Sequence, residues 1–435
     1  MMNRRLVSIL GLIVGFAPVC APQLYLDDLP HTNPAIRYFE GPTEDPVARL
    51  AKSLDAGKVQ LDFRPGGMGY LPSLLKHLDI HADSQALVFS KSSFQAPKIS
   101  PRNPRAIYFN DEVAVGFVPG GAGFEVAALD AKQGVIFYRF ATDASGKPHF
   151  TRGEVCLKCH QGPSTLGVPG MFIGSVFPNA DGMPARNGAI VTDHRTPFED
   201  RWGGWYVNAA GGEQRDRANA VAGNPAEPDV LDTGLAIGGG RQNLTHLAGR
   251  FNAASYLTPV SDIVALMALE HQTQMANFLT RLGWEARIGA LEGKTAAQLD
   301  ADIEATVAYM LFLDEAPLRE PIAGVSTFAK TFPRRGPRDP RGRSLRDFDL
   351  RTRLFRYPLS YMIYSAAFEG LPDEVRERIY RRLFDILSGR DGSAKYAGLK
   401  AEDRSAILEI LAKTKPNLPN WWAEAARSIS VGNQR

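Results

Sequence analysis

The sequence predicts an α+β fold: a β-rich N-terminal region, a loop region in the middle and a C-terminal α-helical domain. Three observations carry that reading. Residues 85 to 152 alternate short β-branched and aromatic runs with turn residues, the pattern of an antiparallel meander. Residues 161 to 243 are rich in Gly and Pro and hold no sustained period. From about 244 onward, apolar residues recur at helical spacing between Gly and Pro stops. The 435 residues suffice for two or three domains with their own cores. The divisions read from the chain are 1–21, 22–152, 153–243 and 244–435.

Composition narrows the class further. The chain is 44% hydrophobic and 22% charged, which fits a globular protein and no disordered one. A net charge of +3 over this length is far from the strongly basic balance of a general nucleic-acid binder, so no nucleic-acid partner is expected. Three cysteines are too few for a disulfide scaffold.

The N-terminus carries Arg4 and Arg5, then an apolar run from Leu6 to Phe16, then Ala17 to Ala21. This is a secretory signal pattern, since the run is too short to span a bilayer comfortably. Small residues at Val19, Cys20 and Ala21 suit a peptidase, whereas Pro22 hinders cutting there. Cleavage, lipidation at Cys20 and retention as a membrane anchor all stay open. An exported, periplasmic location is expected under each.

Along the chain, Asp45 to Leu54 has an N-cap-like Asp, Pro46 at the first helical position and a Gly57 stop. Leu71 to Ile80 reads as a second short helix. His77 and His81 stand four apart on it, but no third ligand lies nearby, so ordinary histidines are the better reading. Strands follow at 86–89, 106–109, 113–118, 124–129 and 135–140, separated by turn residues. The Gly/Pro-rich stretch after residue 160 reads as long ordered loops, wrapped around something or otherwise functional. Gly203-Gly204 and Gly238 to Gly240 are not nucleotide fingerprints, because neither follows a strand and opens a helix. Helices are expected at 259–291, 295–313, 354–368, 372–387, 401–412 and 419–426. The first should be amphipathic, with Val264, Met267, Met275, Phe278 and Leu282 on its apolar stripe.

Between the meander and the loops stands Cys156-Leu157-Lys158-Cys159-His160, a C-x-x-C-H motif. It reads as a covalent haem attachment site. Each thiol can add to a vinyl group of the macrocycle, giving two thioether bonds. Residues three apart share one face of a helical turn, and the histidine that follows can ligate the iron. The haem reading has three rivals. A thioredoxin-type pair would want a βαβ setting, a zinc site needs a fourth ligand, and a plain disulfide gives His160 no purpose. One haem c, with His160 as proximal ligand, fits the motif best. The middle of the chain is thus the haem-bearing loop region.

The sixth iron position has candidates. His271 lies in the apolar stripe of the 259–291 helix and should point inward, with Met275 one turn on. His194 lies in an aromatic loop between Asp193 and Arg195, where Asp193 could act as an outer-shell partner. Met171 and Met183 are the loop methionines that a small carrier would use. For each, an ordinary core or surface role is the plainer reading. Trp202 and Trp205 fit a core better than a haem edge. The Arg-rich segment 333–356 could meet haem propionates or an acidic partner, but it reads more simply as a connecting segment paired to Asp339, Asp347 and Asp349.

At Cys156 to His160, together with the export signal, the sequence resembles bacterial exported c-type cytochromes. The close match is the pentapeptide. It implies thioether attachment at Cys156 and Cys159, and iron ligation by His160. A wider context, with Phe177 to Gly182, Thr192 to Phe198 and Arg201 to Val207, looks like large exported bacterial proteins bearing one such motif, a resemblance that implies no particular activity. In a small carrier cytochrome the motif opens a helical domain of roughly 100 residues, whereas here a β-rich region precedes it. The expected function is one-electron transfer through a single covalent haem, exchanged with a redox partner protein or a small-molecule electron donor or acceptor. The alternative is a haem-dependent oxidoreductase or a small-molecule haem sensor, with an open or displaceable sixth ligand. Catalytic residues are not assigned.

Overall fold

Two short helices lead into the sheet, and the first begins where local chemistry starts it. In α1 (Pro46–Asp55), Asp45 accepts hydrogen bonds from the Val47 and Ala48 amides, while Pro46 supplies a preset φ. Next comes α2 (Leu71–His77), which ends at His77, so His77 and His81 do not share a helix. Both histidines are exposed. The structure is a computed structural model and describes residues 28–142, 146–184, 189–210, 215–224, 227–232 and 244–422. The N-terminal segment expected to be an export signal, with Cys20, the Gly238–Gly240 run and the stretch from 423 onward lie outside the described residues.

The chain is α+β, with a seven-stranded antiparallel sheet in its N-terminal half and helices towards the C-terminus. The strands are β1 (Ala86–Val88), β2 (Arg105–Phe109), β3 (Val113–Phe117), β4 (Phe124–Asp130), β5 (Gly134–Thr142) and β6 (Pro148–Arg152). The turns are set by side chains. Asn110 Oδ1 accepts from the Glu112 and Val113 amides, and Asp130 Oδ1 accepts from those of Lys132 and Gln133. In register, Phe124, Phe140 and Phe150 line up across three strands on one face, where Tyr70 also packs on Phe140 and Tyr138 donates to Asp45. Phe137 belongs to the other face, because side chains alternate along a strand.

After β6 a single helical turn, α3 (Leu157–His160), carries the motif. The Gly/Pro-rich stretch that follows holds β7 (Ile173–Ser175) and β8 (Ile190–Thr192), which pair with each other. Next, β9 (Trp205–Tyr206) adds to the sheet beside β1, giving the order β6-β5-β4-β3-β2-β1-β9. A hairpin of β10 (Val221–Asn224) and β11 (Glu227–Asp232) follows. Trp202 and Trp205 are both buried, as a core role requires. Gly203 permits this turn to press on the backbone, since a Cβ there would sit 2.0 Å from the Val176 carbonyl.

The helical part begins with α4 (Ile263–Leu291), capped by Asp262. It is not the one-sided helix that the stripe suggests: every residue from Ile263 to Asn277 is buried. Structure covers it on all sides, so Glu270, Gln272, Gln274 and Asn277 are buried along with the apolar stripe. There follow α5 (Asp300–Met310), α6 (Phe328–Thr331), α7 (Ala366–Glu369), α8 (Asp373–Leu387) and α9 (Ala401–Thr414). The helix expected at 354–368 does not form over most of that span. Residues 347–356 fold back on themselves through Asp349 to Leu354, Leu350 to Arg353 and Arg356 to Asp347 backbone bonds. Pro358 lacks an amide for a helical ladder, and only a 3₁₀ turn (Tyr361–Tyr364) and α7 remain.

The Arg-rich segment is largely ion-paired. Arg338 meets Asp347, Arg343 meets Asp339 and Glu409, and Arg353 and Arg356 meet Asp403. Asp349 instead caps a turn by accepting from the Arg351 and Thr352 amides. One continuous cluster of buried residues runs from Ile36 to Trp422 and includes both the sheet and the helices. Among the described residues, no helix is long and apolar enough to cross a membrane.

Candidate functional site

The motif is presented by a sharp exit from the sheet. As β6 ends, the Gly153 amide donates to the Phe137 carbonyl (2.8 Å), and a 3₁₀ turn over Glu154–Cys156 runs into α3. A Cβ on Gly153 would lie 2.8 Å from Cys156 Sγ, so glycine leaves that thiol its place. Both thiols are free, with Cys156 half-buried and Cys159 exposed. Burial raises the Cys156 thiol pKa, and the Glu125 carboxylate adds to the effect.

His160 is more tightly held. Its Nδ1 lies 2.9 Å from the Gly170 carbonyl, while the Gly170 amide donates back to the His160 carbonyl at 2.9 Å. A carbonyl can only accept, so Nδ1 carries the proton and Nε2 keeps a lone pair. The imidazole lies between Phe137 (ring centroids 4.7 Å apart) and Phe172 (5.8 Å). Burial lowers its pKa below the ordinary value, against the pull of the Gly170 hydrogen bond, so the ring is neutral at pH 7.

The loop that supplies Gly170 is tied down on three sides. Thr165 Oγ1 donates to the Val168 carbonyl and accepts from the Gly162 amide. From α4, Asn277 Nδ2 donates to the Met171 carbonyl and Arg281 to the Leu166 carbonyl. From the N-terminal segment, the Leu29 amide donates to the Gly167 carbonyl, and Gln161 bridges the Leu29 carbonyl and His31. Beside the motif are exposed apolar groups: Val155 is 45% exposed, and Phe172 and Met171 are half-buried.

This donor set fits a covalently attached haem. Two free thiols stand a helical turn apart, the imidazole has its Nδ1 satisfied and its Nε2 free, and apolar side chains are left uncovered. It fits zinc poorly. Among the described residues, no group of three or more His, Cys, Asp or Glu side chains converges as a metal site. The thiols and the imidazole therefore do not share one point, which thioether attachment at two ring edges also does not ask of them.

His194 and His271 are brought together, 77 positions apart in sequence, but not to His160. Their Nδ1 atoms are hydrogen-bonded to each other at 2.9 Å, and His271 Nε2 meets Ser360 Oγ at 2.7 Å. Both nitrogens of His271 are thus engaged. Only Nε2 of His194 lacks a partner, and it is buried. Tyr309 and Phe312 pack on both rings. Burial drives both pKa values well down, so both imidazoles are neutral. No described hydrogen bond or ring contact joins either one to His160, Phe137 or Phe172. Asn277, which touches the His160 loop, stands six residues beyond His271, roughly 9 Å along the helix axis.

Around this pair is a polar centre that the sequence did not announce. Arg201 and Glu270 form a buried ion pair (3.2 Å; side chains 2% and 0% exposed). Thr192 donates to Glu270, and Arg201 also donates to the carbonyls of His194 and Thr196. Burial pushes the Glu270 carboxyl up to about 7, while Arg201 pulls it down. Asp193 makes no described hydrogen bond to either imidazole; it holds Arg195 at 2.6 Å. Met183 is 48% exposed. The signal that could have revealed the ion pair was Glu270, the single acidic side chain between Ile263 and Phe278 of an otherwise uncharged helical run, which needs a cationic partner if buried.

No family model matches the chain, and no curated protein or solved structure was found to be similar to it.

Proposed function

We propose that the chain is an exported monohaem c-type protein whose haem is held by thioether bonds at Cys156 and Cys159 and ligated by His160. The observation that carries this reading is the His160 Nδ1 hydrogen bond to the Gly170 carbonyl, beside two free thiols on the same turn. When bound, the haem supplies a one-electron iron couple. The protein's part is to aim the His160 lone pair, to make that nitrogen a stronger donor through the Gly170 carbonyl, and to cover one side with Phe137 and Phe172. Export agrees with the signal pattern at residues 1–21, since c-type attachment in bacteria takes place outside the cytoplasm. The exposed edge at Cys159 is where a redox partner protein or a small electron donor or acceptor would approach.

Within this reading, one observation favours an open or displaceable sixth position over a fixed carrier. The two histidines best suited to be the sixth ligand satisfy each other and Ser360 instead. An oxidoreductase or a sensor of a small molecule then becomes the use of so much surrounding protein.

The test is periplasmic expression with the c-type attachment machinery, followed by mass and absorption measurement. A mass increase of one haem, haem bands, and loss of both in the double variant C156A/C159A are expected. A chain that leaves the periplasm without haem sinks both readings. A ferrous spectrum altered by carbon monoxide supports the open site. An unaltered one supports the carrier.

A further inference from the structure

We infer that Asn277 is the positioning residue for the His160 imidazole, so that the long central helix sets the strength of the iron ligand. The inference rests on the haem reading above and deepens it. Asn277 is fully buried on α4. Its Nδ2 donates to the Met171 carbonyl (2.8 Å) and to Gln274 Oε1 (3.1 Å), while its Oδ1 is buried without a hydrogen-bond partner. Gly170 lies directly against it, since a Cβ on Gly170 would come within 2.1 Å of Asn277 Oδ1. The φ of Gly170 is outside the left-handed region, so it is crowding, by Asn277 above all and by Thr165 Cβ at 3.1 Å, and no backbone demand, that excludes a side chain there.

Gly170 is consequently clamped. On one side it exchanges two hydrogen bonds with His160, and on the other it abuts Asn277, whose donor fixes the very next carbonyl. The tie has a chemical consequence. A firm carbonyl acceptor at Nδ1 adds imidazolate character to the ring, which favours the more positive oxidation state of the iron. Loosening the carbonyl weakens that preference. An amide on a helix that is buried all round is a rigid support for such a tie, whereas a loop side chain would not be.

The experiment has two arms. In the haem-free full-length chain, ¹⁵N-histidine NMR reads the His160 tautomer. The unaltered chain is expected to show the Nδ1–H form, and Asn277→Ala a mixture of both tautomers. In the haem-loaded chain, the midpoint potential of N277A is expected to rise by about 59 mV for a tenfold shift in the oxidation equilibrium. Gly170→Ala should disturb His160 by overlap with Asn277, and disturb it less in an N277A background, where Asn277 Oδ1 and Cγ are gone and Thr165 Cβ at 3.1 Å is the contact that remains. Asn277→Ser is read in the same way if N277A does not fold. A folded N277A or N277S that keeps both the tautomer and the potential overturns the inference. If no haem attaches, the proposed function fails, while the NMR arm still decides whether Asn277 positions His160.

Discussion

The two motif cysteines differ in what surrounds them, and that difference can be measured in the haem-free chain. Cys159 is exposed, whereas Cys156 is half-buried with a raised thiol pKa. The thiolate is the reacting species, so burial and a raised pKa act in the same direction. At pH 8 a thiol reagent should label Cys159 rapidly and Cys156 slowly, with both labelled at once in denaturant. Equal native rates would mean that the turn at Gly153 does not shelter Cys156. The Arg201–Glu270 pair offers a second measurement. Removing one partner of a buried pair leaves an unpaired charge, at a cost of about 3–5 kcal/mol. Arg201→Ala also takes donors from the His194 and Thr196 carbonyls. It should lower stability in urea unfolding by that amount, and far more than Arg390→Ala, whose contact with Asp385 is long and exposed.

At the scale of elements, α4 organises the molecule, and its start is chemically defined. Asp262 Oδ1 accepts from the Val264 and Ala265 amides, and its Oδ2 accepts from the Ser326 amide. One carboxylate thus caps the helix and fastens a distant loop. Replacing an N-cap Asp by Ala costs about 1–2 kcal/mol, and the lost Ser326 bond places Asp262→Ala at the upper end, read as a lower midpoint in thermal or urea unfolding. A change of under 0.5 kcal/mol would show the cap to be idle. Apolar spacing alone starts the helix at Pro259 and passes over this cap, which sets the true start at Ile263. The sheet was far more legible, since five of the seven strands are written in β-branched and aromatic runs with Asn, Asp and Gly between them. Strand β9 was not, because two residues carry no period, and its pairing with β1 is decided across more than a hundred residues of chain. Likewise, the motif could be read because its chemistry is contiguous. The His194–His271 contact could not, because the stripe shows that His271 points inward but says nothing of what awaits it.

For the molecule as a whole, the buried cluster from Ile36 to Trp422 joins what the sequence divides into separate regions. Contacts across the divisions are specific as well as apolar: Leu87 with Ser261, Gln85 with Thr258 and Val260, and Gln272 with Asn110. Such hydrogen bonds leave buried groups unpaired if one part opens alone, at about 1–3 kcal/mol each. The loop that presents His160 is held at once by the N-terminal segment and by α4. Separate opening of sheet and helices would therefore release the loop, and with it the lone pair aimed by Gly170. Sheet, helices and site should be lost together. In guanidinium, far-UV circular dichroism, tryptophan fluorescence and labelling of Cys156 are expected to trace one coincident transition. Fluorescence samples the sheet and loop region through Trp202 and Trp205, the central helix through Trp284 and the C-terminal helices through Trp422, all of them buried. Labelling of Cys156 at a lower denaturant concentration than the loss of helix would place the site on an independently opening unit. Coincidence would mean that the helical half is part of what keeps the His160 site formed.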